Sequence, residues 1–290
     1  MTALDTREVQ PAAQVERRQG QDRALTIAIL GRKGGSGKST TAFNLAGAFV
    51  HRGLRCLLID FDSQASISAL FFADVKRNVT RPDQGARNQV TAQSIGARLV
   101  DVALGIEDLI RPIGPGLDIL PGDRSIESVS DALKDNPTGP HRLRRLLQGR
   151  TDRYDVVVID TMPTLGYSQL SAMFAGDVAV VPTRLADHDT NALGSLLALR
   201  DEQVEYGFHP APVVVIVPAD YKNDEAHQRA RLGRLRQTYG ELVGDPIPHS
   251  ALIDRAFNDG IPAPLTSPDS PVARAYQALG ERLLPREVLS

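Results

Sequence analysis

The sequence predicts one α/β domain, a mostly parallel central sheet with helices on both faces. Three observations carry this reading. From Ala24 onward, short apolar runs alternate with longer amphipathic stretches, the rhythm of strand, helix, strand. Two of the runs, Val156–Ile159 and Val213–Val217, are β-branched without polar alternation, as strands are when both faces are covered. A glycine-rich turn, Gly31 to Gly37, joins the first apolar run directly to the first helical stretch.

In chain order, the runs expected as strands are Leu25–Leu30, Cys56–Ile59, Leu117–Leu120, Val156–Ile159, Val178–Val181 and Val213–Val217. Helical periodicity falls at Ser39–His51, Ile95–Gly105, His141–Gln148, Asn191–Tyr206, Asp224–Tyr239 and Val272–Leu284. The first 23 residues are polar, carry four acids and four arginines, and have no apolar stretch. They are expected to form a flexible tail rather than a secretory signal. A single domain is expected over residues 24–290, with a polar insertion at about 74–94.

Composition narrows the chemistry. The chain has 290 residues, 42% hydrophobic and 23% charged, enough to bury a core without covalent staples. With 33 Lys plus Arg against 35 Asp plus Glu, a uniformly basic nucleic-acid coat is excluded, though a local basic patch is not. The lone cysteine, Cys56, excludes an internal disulfide, a cysteine zinc site and a self-contained iron–sulfur cluster. It fits a reducing compartment, and its place in an apolar run makes it a core residue.

The strongest motif is Gly31-Arg32-Lys33-Gly34-Gly35-Ser36-Gly37-Lys38-Ser39-Thr40, between a strand and a helix. This is the context of a phosphate-binding loop. Glycines let successive backbone N–H groups converge on phosphate oxygens, and the following helix N-terminus adds favourable partial charge. Lys38 is placed to reach β- and γ-phosphates, and the Ser39 hydroxyl to ligate Mg²⁺. Lys33 exceeds what such a loop needs. It is either a solvated charge or a cation acting on phosphate, even across a dimer interface.

Two apolar runs lead into acids, Leu57-Leu58-Ile59-Asp60-Phe61-Asp62 and Val156-Val157-Val158-Ile159-Asp160. Ligands of open α/β sheets bind beyond the carboxyl ends of strands, so both runs point at the glycine loop. Asp160 suits the Mg²⁺ shell, with Asp60 in its outer shell. Asp62 is the candidate for orienting an attacking water.

These segments resemble the ParA/MinD group of deviant Walker A ATPases. The resemblance rests on Lys33-Gly34-Gly35-Ser36-Gly37-Lys38-Ser39-Thr40, Asp60-Phe61-Asp62-Ser63-Gln64 and the run from Tyr154 to Asp160. Weaker support comes from Val180-Val181-Pro182, Asp220-Tyr221-Lys222, Ile247-Pro248 and Asp254-Arg255-Ala256. It spans about Ala24 to Leu284. It implies a nucleotide-sandwich homodimer, with ATP and Mg²⁺ as cofactors. Lys33 would reach the partner's ATP, Gly34 would lie at the tight dimer contact, Asp62 would position water, and Pro218, Ile247 and Pro248 would flank adenine. Ser63 stands where the family usually has proline, and Met162-Pro163-Thr164 replaces a proline pair and serine.

Within the group, the short ParA branch is the best match. Pro285, Glu281 and Glu287 spoil a C-terminal amphipathic membrane helix, so a packed terminal helix is expected and no membrane partner. Lys222, Arg229, Arg231, Arg234 and Arg236 offer five positive charges against Asp224 and Glu225, with Leu232 and Leu235 as anchors to the core. They are either a solvated helix face or a surface for nonspecific DNA. A second basic run, Arg142, Arg144 and Arg145, reads as solvated surface. The resemblance implies a cytoplasmic, nucleoid-associated partition ATPase whose hydrolysis is stimulated by a ParB-like partner. Positioning of a protein cargo, a MinD-like septum-site role and a small-molecule kinase or ligase on the same scaffold remain alternatives.

Overall fold

A computed structural model of the chain describes residues 23–75, 93–133, 136–164, 166–185, 189–211 and 213–285. The expected tail, apart from Arg23, and positions 76–92 of the expected insertion lie outside the described residues. The strands are β1 (Leu25–Ile29), β2 (Cys56–Phe61), β3 (Arg111–Gly114), β4 (Leu117–Leu120), β5 (Val156–Thr161), β6 (Val178–Arg184) and β7 (Val213–Ala219). They form one sheet in the order β3-β4-β2-β5-β1-β6-β7. Every neighbouring pair is parallel except β3 with β4.

Alternate residues of the strands feed two separate cores, because side chains switch face at every residue. Ala28, Leu57, Ile59, Val157, Ile159, Val181 and Ile216 point to one side. There they meet α3 (Ile95–Val100), α4 (Ser125–Leu133), α5 (Arg142–Leu147), α6 (Tyr167–Ala175), α7 (Asp189–Glu205) and α8 (Ala226–Tyr239). Ile27, Ile29, Cys56, Leu58, Val156, Val158 and Val217 point to the other. That side is covered by α1 (Lys38–His51), α9 (Ala251–Asp259) and α11 (Pro271–Leu283), with the short α2 (Ser68–Phe71) and α10 (Ala263–Thr266) beside them. Both-face burial is why the strands lack polar alternation. Cys56 is fully buried, and burial pushes its thiol pKa up.

The C-terminal helix is packed, as expected. α11 buries Val272, Ala273, Tyr276, Leu279, Gly280 and Leu283, chiefly against α1. Its apolar side is therefore occupied by protein. Among the described residues, no helix is long and apolar enough to cross a membrane.

Several boundaries differ from the sequence reading. β2 and β5 run on through Asp60 and Asp160, which the parallel ladder pairs in register, followed by Phe61 with Thr161. The acids are thus inside strands rather than just past them. The helix expected over Ile95–Gly105 stops at Val100, because Asp101 adopts an extended conformation and caps a separate turn at Val102–Leu104. Arg142 is not solvated surface: its guanidinium donates to the carbonyls of Leu99 and Val100, satisfying the end of α3. The edge strand β3 gives no apolar run and contains Pro112, tolerated only where a ladder bond is dispensable.

Candidate active site

The glycine loop spans the gap between β1 and α1. Gly35 and Gly37 adopt left-handed conformations at φ 75° and 94°, which side chains rarely tolerate. The loop then feeds straight into the helix at Lys38. Arg32, Lys33, Gly34 and Gly35 are exposed, while Ser36 and Lys38 are buried and Ser39 and Thr40 half-buried. A Cβ built on Gly34 meets nothing within 4 Å in the chain.

Lys38 turns back beneath the loop, and its ammonium donates to the Lys33 carbonyl at 3.1 Å. Burial lowers its pKa, opposed by the charges of Asp160 and then Asp62. The three expected acids converge here. Asp60 and Asp160 are fully buried, and Asp62 is 7% exposed. Asp160 is raised well above the usual carboxylate range by burial and by the charge of Asp60, with the Ser39 hydroxyl bond pulling the other way. Burial pushes Asp60 up to about 6, against two hydrogen bonds from Ser68. Burial likewise raises Asp62, whose carboxylate accepts from the Gln64 N–H at 2.8 Å.

Three crowded acids beside one lysine are short of positive charge. Asp60 Oδ1 and Asp160 Oδ2 are buried without a hydrogen-bond partner. Two unpartnered oxygens on adjacent, register-paired strands, with a serine hydroxyl on one of the acids, form a hard-oxygen donor set that fits Mg²⁺ and its retained waters.

Residues that the sequence reading did not single out hold this arrangement. The Gln169 amide, on α6, donates to the carbonyls of Gly31 at 2.7 Å and Met162 at 2.8 Å. It fastens the start of the glycine loop to the segment after β5. The adjacent Ser168 hydroxyl donates to the Phe61 carbonyl at 3.0 Å, and Thr161 donates to the Ile29 carbonyl at 2.7 Å. Ser68 and Gly122 pack against Asp60 itself. None of these stands out in the sequence: Gln169, Ser168, Thr161 and Gly122 act on segments distant in the chain, and Ser68 reaches Asp60 eight positions back with no motif marking the pair.

The expected adenine flank lies on the same sheet end. The Ile247 N–H donates to the Pro218 carbonyl at 2.8 Å, and Tyr221 N–H to the Ile247 carbonyl at 2.9 Å. Ala219 Cβ lies 3.6 Å from where a Cβ on Gly37 would stand, so this segment borders the loop. The Ile247 side chain, however, is 2% exposed and belongs to the core. Its backbone N–H and carbonyl are engaged by Pro218 and Tyr221, whereas Pro248 is half-buried.

Four of the five basic residues lie on α8, and Lys222 precedes it. Leu232 and Leu235 anchor the helix, and Arg229, Arg234 and Arg236 are exposed. Arg231 instead reaches the Leu185 carbonyl at 2.8 Å. Lys222 pairs with Glu225 at 3.3 Å, and Arg236 with Asp245 at 3.6 Å. Both are surface pairs of little energetic weight, so neither commits its cation.

Known proteins share both the sequence pattern and the fold. Residues 24–205 match a family model described as an AAA domain. A putative replication protein A of Rhizobium rhizogenes is 30% identical over 243 residues, 78% of this chain. The chain spans only 57% of that relative's length. The chromosome-partitioning ATPase Soj of Thermus thermophilus is 29% identical over 262 residues, covering 90% of this chain and 95% of Soj. The solved complex of a Cyanothece McdA variant with ATP superposes with a TM-score of 0.74 at 18% identity, covering 90% of this chain and 96% of that one, a likeness of fold.

Proposed function

This chain belongs to the AAA domain family and is homologous to partition ATPases, and on that premise we propose that it is a ParA-type partition ATPase. In this reading it binds Mg²⁺–ATP, dimerises, holds DNA without sequence preference, and is released when a ParB-like protein stimulates hydrolysis. It acts in the cytoplasm on the nucleoid. The observation that carries the reading is the buried Lys38, set beside Asp62 and Asp160 beneath a loop whose Arg32–Gly35 stretch is exposed.

The chemistry assigned to the chain follows from that placement. Loop N–H groups and Lys38 cradle the phosphates. Ser39 and Asp160 hold Mg²⁺, with Asp60 behind them. When bound, the ion neutralises charge on the phosphate oxygens. Asp62 orients the attacking water. Pro218, Pro248 and the backbone of Ile247 border the base. Lys33 serves the nucleotide of the partner subunit. Support for that last role comes from Gly34. Its side of the loop is open in the single chain, so a side chain there would meet resistance only from a second molecule.

Asp62→Ala is expected to lower ATP turnover about 100-fold, the scale of a lost general base, while ATP is still bound. Turnover within a few-fold of wild type would remove Asp62 from the water-orienting role. DNA retention tests the reading as a whole. Retention should require ATP or a non-hydrolysable analogue, vanish with ADP, and weaken with salt. Two copies of one modest basic patch in a dimer gain strength by effective concentration, which links nucleotide state to DNA affinity. Arg229→Glu combined with Arg236→Glu should weaken ATP-dependent retention about 10-fold or more at low salt and leave ATP affinity unchanged. Equal retention in ATP and ADP would count against the partition reading.

A further inference from the structure

Asp60 is held in an asymmetric way. Its Oδ2 accepts two hydrogen bonds from one residue, the Ser68 N–H at 2.8 Å and the Ser68 hydroxyl at 2.7 Å. Its Oδ1 is buried with no partner. The Ser68 hydroxyl is itself oriented, because its oxygen accepts from the Gly122 N–H at 3.0 Å, leaving its own hydrogen for Asp60. Ser68 is fully buried. A carboxylate gripped at one oxygen by two donors cannot rotate freely, so the other oxygen is fixed in direction.

That other oxygen is the one that matters. Asp60 pairs in register with Asp160 across β2 and β5, so the two side chains share a face, and Asp160 too has one unpartnered buried oxygen. We infer that Ser68 is a positioning residue for the divalent cation: by anchoring Asp60 Oδ2 it presents Oδ1, beside Asp160, to the waters that the ion would retain. This rests on the nucleotide site proposed above. It adds a residue eight positions from Asp60 and outside the glycine loop. The competing account is that Ser68 merely begins the short helix α2. Loss of an outer-shell group typically costs about 10–100-fold in metal affinity, and removing its anchor releases Asp60 from that place, whereas a helix-starting role costs only stability.

The experiment measures binding of a fluorescent ADP to the full chain, first in EDTA and then across a Mg²⁺ titration, for wild type, Ser68→Ala, Ser68→Cys and Ser68→Thr. Ser68→Ala should raise the half-saturating Mg²⁺ concentration about 10-fold or more, with ADP affinity in EDTA unchanged within about twofold. Ser68→Thr, which restores the hydroxyl, should return the Mg²⁺ response towards wild type. Ser68→Cys keeps the volume with a weak donor and should behave like Ser68→Ala; it is the working variant if alanine does not fold. A wild-type Mg²⁺ response in Ser68→Ala overturns the proposal. So does equal loss of ADP affinity with and without Mg²⁺, or failure of both variants to fold, since each assigns Ser68 a structural role. If wild type itself binds ADP without any response to Mg²⁺, the nucleotide-site reading fails, and the inference about Ser68 fails with it.

Discussion

Lys38→Ala is expected to weaken ATP binding by at least about 100-fold. The ammonium is one of the few cations in a site crowded with acids, and hydrogen bonds to charged groups are worth about 1.5–3 kcal/mol each. Losing two phosphate contacts of that size removes two to four powers of ten. The fold should survive. Lys38 is costly to bury, as the lowering of its pKa by burial indicates, and its ammonium donates to the Lys33 carbonyl on an exposed loop. Isothermal titration with ATP, read beside the far-ultraviolet circular dichroism of the same sample, separates the two quantities. Lys38→Arg should not rescue binding, because a planar fork cannot replace a compact ammonium in this confined position. ATP affinity within a few-fold of wild type in Lys38→Ala would place the phosphates elsewhere.

The second large effect is expected at a residue with no functional group. A Cβ on Gly122 would stand 2.4 Å from the Asp60 carbonyl oxygen, 2.8 Å from that of Asp62 and 3.2 Å from Asp60 Cγ. The first two are backbone atoms, one in β2 and one just past its end, so no side chain can swing aside. Either β2 moves or the chain after β4 moves. Gly122→Ala should cost about 1–3 kcal/mol of stability, the usual range for overpacking, read as a fall of several degrees in unfolding midpoint. It should also lower turnover of the folded fraction about 10–100-fold, since a displacement near 1 Å at reacting groups has that effect. Alanine keeps the N–H that Gly122 donates to Ser68 Oγ, but the displacement forced by its Cβ pulls that donor away, and so should shift the Mg²⁺ response in the same direction as Ser68→Ala. Gly233→Ala is the matched control. Gly233 is an exposed position on α8 with nothing within 4 Å of its would-be Cβ. Alanine there should stabilise by up to about 1 kcal/mol through helix propensity. A Gly122→Ala protein as stable and active as wild type would mean that the β4 end yields at no cost.

The two predictions differ in how far the sequence foretells them. Lys38 is announced by its own neighbours. Gly31, Gly35 and Gly37 permit the turn, the apolar run before them supplies the strand, and the loop opens a helix. Asp62 and Asp160 are nearly as legible, since each follows an apolar run. Gly122 is not legible in this way. The pair Pro121-Gly122 reads as an ordinary turn after a strand. Its constraint comes from backbone some sixty positions earlier in the chain. The basic helix is an intermediate case. Periodicity places Leu232 and Leu235 inward and Arg229 and Arg236 outward, as observed. It does not foretell that Arg231 turns to the Leu185 carbonyl.

By itself, the sequence determined the elements whose instructions are local. An apolar β-branched run commits to a strand buried on both faces, and a left-handed backbone position selects glycine. The glycine turn between β1 and α1 is written in ten consecutive residues. Only the tertiary structure decided which strands are neighbours, and therefore which groups meet. It set β2 against β5 so that Asp60 faces Asp160, brought Ser68 and Gly122 onto Asp60, and turned Arg142 from an expected surface charge into the cap of α3. The physical reason is one of range. Dihedral preference and hydrophobic period act over a few residues and leave a mark in composition. A hydrogen bond or a close approach between distant segments is fixed by packing of the whole sheet, and its partners look like any other serine, glycine or arginine.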